Sequence, residues 1–323
     1  MPQDDTDIDG PPEATQASGR RVQRVDSTNY QSVTKRAVKG KFRGRKAVRC
    51  RYIQHFPSSA EREYKRVSGH YAGSLSHVVK RHFPGIASAY KKEDTQTFRD
   101  NEKAEVYAMA AELQDALHEF GLYDAMGKIS QITQNNSIRE WQQAVRNTLG
   151  VDILDDYYRG ELYQQLMERW IADNVTALSG MPYKAVMDID RIIMEGYKSG
   201  KPIAELQKEI LDSCRKTKWW LTALAVGQVG ALNAGLTKMI QTDSGVGRYW
   251  WSSSKDSRVR DCHRAFEGRI FRWDNPPMDW HYTKTKGIVY TGQRFHPGEA
   301  HGCRCCAIPV FDWDTLSIPI RGD

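Results

Sequence analysis

Four of the six cysteines and four of the nine histidines fall between Arg248 and Phe311. Cys262-His263 opens the series, His296-Pro297-Gly298 follows, and Gly302-Cys303-Arg304-Cys305-Cys306 closes it. Thiolate and imidazole are the ligands that zinc takes in tetrahedral sites. His263, His296, Cys303 and Cys305 are therefore a candidate zinc set, with His301 and Cys262 as substitutes. The spacing is looser than a zinc ribbon's, because Cys-x-Cys replaces Cys-x2-Cys and the histidines stand far upstream. The same residues also suit a fold without metal, in which His263 makes an internal hydrogen bond and the thiols pack as small buried groups. A Cys303–Cys305 disulfide is disfavoured, since one intervening residue on a strand holds the sulfurs too far apart.

Catalysis is a separate reading of this window. Cys303 as nucleophile, His263 or His296 as base and Asp256 or Asp261 as orienter would make a thiol hydrolase. A metal with an open position would instead activate water for nuclease or deaminase-like chemistry. Three expected companions are missing: an acidic general base at a characteristic spacing, a phosphate-cradling glycine loop, and a helical His-Glu-x-x-His. The run Asp256-Ser257-Arg258-Val259-Arg260 reads better as a charge network that holds the unit together. The chain is expected not to be an enzyme.

At 323 residues the chain is long enough for two domains. A net charge of +7 and a pI near 9.0 point to an acidic partner, nucleic acid first. Met1-Pro2-Gln3-Asp4-Asp5 does not resemble a signal peptide, and no apolar run approaches the ~18 residues of a membrane span. Six scattered cysteines are no secreted disulfide scaffold, so an intracellular chain with reduced or metal-bound thiols is expected.

The elements around the window come next. Met1 to Gly19 carries Asp4, Asp5, Asp7, Asp9 and Glu13 and no base. From Arg20 the sign reverses: Arg20, Arg21, Arg24, Lys35, Arg36, Lys39, Lys41, Arg43, Arg45, Lys46, Arg49 and Arg51 are opposed only by Asp26. Residues 1–51 are read as a disordered acidic-then-basic arm whose cations contact DNA phosphates without sequence preference. Residues 52–217 are read as a helical body. Short helices are expected at Ala60–Val67 and Ser74–Lys80, the second stopped before Pro84-Gly85. A helix from Asp100 to Gly121, a second started by a Ser137–Glu140 capping box, and a third over Asp152–Gly180 follow. Tyr183–Tyr197 and Ile203–Leu211 add two more. In a sixth, Lys218–Thr242, the glycines Gly227, Gly230 and Gly235 imply another element packed closely on that face, and Gln228 and Asn233 are expected to bond into the C-terminal unit.

Residues 218–323 are the C-terminal unit. Strands are expected at Arg248–Ser252, Gly268–Trp273, Gly287–Tyr290 and Cys303–Phe311, with a short helix at Asp261–Phe266. The fold class is thus α+β, mainly α: an elongated helical body, a small C-terminal α+β unit and a disordered N-terminal arm. In order, the chain carries Tyr249-Trp250-Trp251, Asp256-x-Arg258-Val259-Arg260, His263, Glu267-Gly268, Trp273-Asp274-Asn275-Pro276-Pro277, His296-Pro297-Gly298 and Cys303-Arg304-Cys305. This series resembles the head-morphogenesis domain of the Mu F-like minor head proteins of tailed bacteriophages. It covers the last third of the chain, and more weakly the helices from Asp152. Cys306 and the long insertion Met278–Phe295 depart from the pattern.

The resemblance implies a minor capsid protein inside the virion, near the portal, acting in head assembly, DNA packaging or DNA ejection. Portal protein, major capsid or scaffolding protein and the double-stranded genome would be its partners, with no membrane and with the host cytoplasm as the place of assembly. One structural zinc is the cofactor the Cys/His window suggests. Asp256, Arg258, Arg260 and Gly268 are read as structural. A metal- or thiol-dependent enzyme acting on nucleic acid is the alternative.

Overall fold

The structure is a computed structural model that describes residues 30–91 and 95–320. The acidic segment Met1–Gly19 and the basic residues Arg20, Arg21 and Arg24 lie outside it. From Tyr30 onward the expected disordered arm is ordered. Helix α1 (Tyr30–Phe42) buries Thr34, Val38 and Phe42, one residue per helical turn, and leaves Arg36 and Lys39 exposed, as is Arg43 in the turn that follows. A single narrow stripe containing a threonine is too weak a period to stand out beside Gly40 and so many cations. Strand β1 (Ala47–Arg49) follows and pairs antiparallel with the last strand, Val48 opposite Phe311.

The body is built from longer helices than the punctuation in the sequence suggests. Helix α2 (Ser58–Tyr90) runs through Pro84 without ending. The Pro84-Gly85 pair reads locally as a stop. Its place in the fold is a crossing, because a Cβ on Gly85 would lie 2.0 Å from the Glu105 carboxylate of α3 (Thr95–Glu119). Helix α4 (Leu122–Leu149) passes straight through Ser137, which is no cap: its hydroxyl donates back to Thr133 O, at 3.0 Å, and to Asn233 Oδ1, at 3.1 Å. The expected helix over Asp152–Gly180 is a 3-10 turn (Asp155–Arg159) followed by α5 (Glu161–Ser179). Helix α6 (Met181–Ser199) ends at Gly200, whose φ of +65° supplies the left-handed cap.

The fifth and sixth expected helices are one. Helix α7 (Ile203–Asp243) spans 41 residues, so the boundary drawn at residue 217 falls inside it. Its first part packs Leu206, Ile210 and Cys214 with α2, α3 and α6 in a distal apolar cluster. Its later part packs Leu221, Val229, Leu236 and Ile240 in a central core. That core joins α1, α2, α4 and α5 to the strands, so body and C-terminal unit share it. Gln228 and Asn233 bond within the body instead of into the C-terminal unit. Gln228 O accepts from Trp170 Nε1, at 2.9 Å, and Asn233 accepts from Ser137.

The C-terminal unit is an antiparallel sheet of order β1-β6-β2-β3, formed with β2 (Arg248–Ser252), β3 (Ile270–Arg272) and β6 (Cys306–Asp312). Helix α8 (Asp261–Phe266) lies between β2 and β3 in sequence, as expected. The insertion is a separate hairpin, β4 (Met278–Thr283) with β5 (Gly287–Arg294). Period-two alternation gives β2 two faces. Trp250 enters the central core, while Tyr249 and Trp251 enter a third cluster with Phe266, Trp273, Cys303 and Cys305. The sheet thus separates the helical core from the thiol-rich cluster. The fold is α+β and mainly α, and no helix among the described residues is long and apolar enough to cross a membrane.

Candidate functional site

Cys303 and Cys305 stand on the loop just before β6, and His263 stands on α8. The His263 Nδ1 atom is 3.5 Å from Cys303 Sγ and 3.6 Å from Cys305 Sγ. All three side chains are buried, and their ligand atoms lie within 4.8 Å of one another. The loop holds this position through the helix glycines. A Cβ on Gly230 would sit 2.9 Å from Cys303 O and 3.1 Å from Gly298 O, and one on Gly227 would sit 3.0 Å from His301 Nδ1. The close approach anticipated from those glycines is made by this loop, which brings the sulfurs in over α7.

Two backbone N–H groups, of Gly298 and Cys305, each donate to Cys303 Sγ at 3.4 Å. The Cys305 thiol first, then His263 and the Cys305 backbone N–H, hold the Cys303 thiol well below the usual thiol range, against the opposing effect of burial. Cys305 shifts upward, because it supplies the proton its neighbour's thiolate accepts. The remaining cysteines are ordinary buried thiols. Burial pushes Cys214 and Cys262 up to about 11 and Cys306 to about 12, and it raises Cys50 as well.

His296 is not part of this group. Its Nδ1 lies 2.9 Å from Tyr249 Oη, its ring packs at 4.7 Å on Trp273, and its backbone N–H donates to Glu299 Oε2. Burial first, then Lys238, lowers its pKa to about 4, so the ring stays neutral. Cys262 donates to Asp279 Oδ1, at 2.9 Å, and these two with His263 make a second, overlapping group. Sequence reasoning missed Asp279 because it comes from the hairpin insertion. His301 borders the same cleft as the sulfurs, and its carbonyl accepts from Arg260 Nη2 at 2.7 Å.

The orienting acids required by a thiol hydrolase are committed elsewhere. Asp256 accepts from the Arg258 backbone N–H, at 2.9 Å, and from its guanidinium, at 3.0 Å, and it lies 4.0 Å from Arg304. Asp261 pairs with Arg264. Arg304, between the two cysteines, points the other way and grips Glu61 of α2 with two hydrogen bonds of 2.7 and 2.9 Å. Glu61 also pairs with Lys65. A chain of charges from Asp256 through Arg304 to Glu61 therefore ties the sulfur loop to the body. Gly268, at φ +72°, donates its N–H to Trp251 O and accepts from Arg49 Nη2.

The cations expected to meet DNA divide into two sets. Lys35 donates to Asp314 O and lies over the Trp313 ring, and Arg49 stacks at 4.3 Å on Trp250. Both have structural duties. Arg36, Lys39, Lys41, Arg43, Arg45, Lys46 and Arg51 are exposed on α1 and the segments flanking β1.

Cys303, Cys305 and His263 border a cleft of about 410 Å³ together with Arg258, Arg260 and Trp219. Around it, the order of motifs noted in the sequence is matched independently. Residues 187–308 match the family described as Phage Mu protein F like protein. This part of the chain is similar to that family. The match takes in most of α6, all of α7 and the C-terminal unit as far as Ile308, so the sulfur loop and its glycine seat both lie within it. A Haemophilus influenzae protein described as uncharacterized is 24% identical over 257 residues, which cover 77% of this chain. The chain spans about half the length of that relative, 54%. No solved structure matches.

Proposed function

We propose that this chain is a minor head protein of a tailed phage, an internal virion component near the portal that acts in head assembly, DNA packaging or DNA ejection. The observation that carries the reading is the Mu F-like match over residues 187–308. Its support is architectural. The matched unit shares its core with the helical body, and Arg304–Glu61 and Trp250–Cys50 bonds lock the two together. Such a unit suits load-bearing contact with portal, capsid or scaffolding protein.

The exposed cations Arg36, Lys39, Arg43, Arg45 and Lys46 offer an anchored basic surface to the genome, through phosphate contacts that carry no sequence information. Filter binding to duplex DNA over a salt series tests this contact. Reversing Arg36, Lys39 and Arg43 to Glu should flatten the salt slope and leave the fold intact. An unchanged slope would remove α1 from the DNA contact. Cross-linking in procapsids with peptide mapping tests the partner, and links from the matched unit to portal protein are expected.

A second reading, a metal- or thiol-dependent enzyme acting on nucleic acid, has one observation in its favour: Cys303 borders a cleft that also holds Arg258 and Arg260. Nucleic acid incubated with the full chain should stay intact if the head reading holds. Cleavage abolished by Cys303→Ser in a folded protein would favour the enzyme.

A further inference from the structure

We infer that His263 Nδ1, Cys303 Sγ and Cys305 Sγ form a three-ligand zinc site whose fourth position opens on the Trp219–Arg260 cleft, and that His296 has no part in it. Ligand spacing is the first argument. Zinc bonds of about 2.3 Å to sulfur and 2.0–2.1 Å to nitrogen, at tetrahedral angles, place sulfur and nitrogen about 3.6 Å apart. The observed separations are 3.5 and 3.6 Å. The donor set is therefore already spaced as the edges of a zinc tetrahedron. Sulfur-to-nitrogen hydrogen bonds span the same distance, so what the geometry adds is that both sulfurs meet one ring nitrogen in a buried three-residue group.

The surroundings are those of thiolates. Cys303 Sγ receives backbone N–H groups from Gly298 and Cys305. The buried indole N–H of Trp251 makes no hydrogen bond and belongs to the same cluster as the two cysteines. Two N–H donors thus converge on Cys303 Sγ in a buried pocket. Donors placed this way orient and stabilise a sulfur ligand. Asp279 has a carboxylate oxygen within 4.8 Å of a His263 ring nitrogen, where it can hold the ring's orientation.

The site has three protein ligands. A closed structural zinc takes four, whereas three plus a position open to a cleft admit water or an exogenous anion. Arg258 and Arg260 on the same cleft favour an anion there.

Metal analysis of the full chain purified without chelator tests the assignment. One zinc per chain is expected in the wild type and in His296→Gln, and none in His263→Gln. Cobalt replacing zinc should give an intense visible spectrum of tetrahedral type, with a sulfur-to-cobalt band that falls to about half in Cys305→Ser. Added azide or thiocyanate should shift that spectrum, because the fourth position is open. Where a variant fails to fold, cobalt titration of the wild type still decides the matter. Absence of both metals, or a Cys303–Cys305 disulfide in the freshly purified chain, overturns the site. Loss of metal in His296→Gln with retention in His263→Gln overturns the ligand set, and a spectrum indifferent to added anion overturns the open position.

Discussion

The two ends of helix α7 are stabilised in different ways. Around Leu206, Ile210 and Cys214 the distal cluster is mostly aliphatic, with Phe98 stacked on Tyr197 at its edge, and it depends on stripes of apolar residues from α2, α3 and α6. Around Gly227 and Gly230 the helix gives up side chains altogether, so that a backbone loop carrying Cys303 can lie against it. The C-terminal cluster is then assembled from aromatic rings, thiols and two histidines, each held by a named hydrogen bond or ring contact. The first arrangement tolerates repacking. The second fixes particular atoms, as a site requires.

Substitutions at the two ends should separate these designs. Trp251→Ala removes a fully buried ring that packs on His263, Phe266 and Phe271, and should cost about 3–5 kcal/mol in chemical denaturation. Ile193→Ala in the distal cluster should cost about 2–5 kcal/mol yet leave near-ultraviolet aromatic signals of the C-terminal unit unchanged. If Ile193→Ala erased those signals, the two ends would be a single cooperative site and the contrast would fail. Arg304→Met leaves Glu61 buried with only Lys65 beside it, and should cost about 3 kcal/mol. A loss below about 1 kcal/mol would reduce the Asp256–Arg304–Glu61 chain to a surface pair.

A buried carboxyl group also lies at the distal end. Burial, reinforced by Asp190, raises Glu102 of α3 from 4.5 to about 8. The folded state therefore holds a proton that the unfolded chain has released, and stability falls as pH rises from about 4.5 to about 8. Glu102→Gln should flatten that slope in urea titrations run across the same window. An unchanged slope would assign it to other groups.

The smallest effects concern the glycines, and there the sign is the test. Gly230→Ala forces a Cβ against two backbone carbonyls and should destabilise by about 1–3 kcal/mol. Gly73→Ala in α2 meets nothing within 4 Å and should stabilise by about 0.5–1 kcal/mol. Equal effects would mean that the loop is not seated on α7 as described.

Much of this was legible in the sequence where one period or one exclusion decided it. The α7 glycines announced a close neighbour, and Tyr249-Trp250-Trp251 announced a strand. Legibility failed where a local signal competed with a distant partner. Pro84-Gly85 spells a helix stop, but α3 crosses there. Ser137 and Glu140 spell a capping box, yet Glu140 serves Tyr52 and His55, 88 and 85 residues away. His296 shares its residue type with His263, and only the fold shows that Tyr249 holds it. The basic segment after Tyr30 conceals a helix because its buried stripe is one residue wide and its support, Trp313 to Ile318, lies at the far end of the chain.

The central claim is that the matched unit belongs to a phage head. Heads purified from the phage that encodes this chain, treated with external protease and then analysed by quantitative mass spectrometry, test it most directly. The account predicts a few protected copies per particle, present in empty procapsids as well as in filled heads. Absence of the chain from both, with abundant free protein in the lysate, would contradict it.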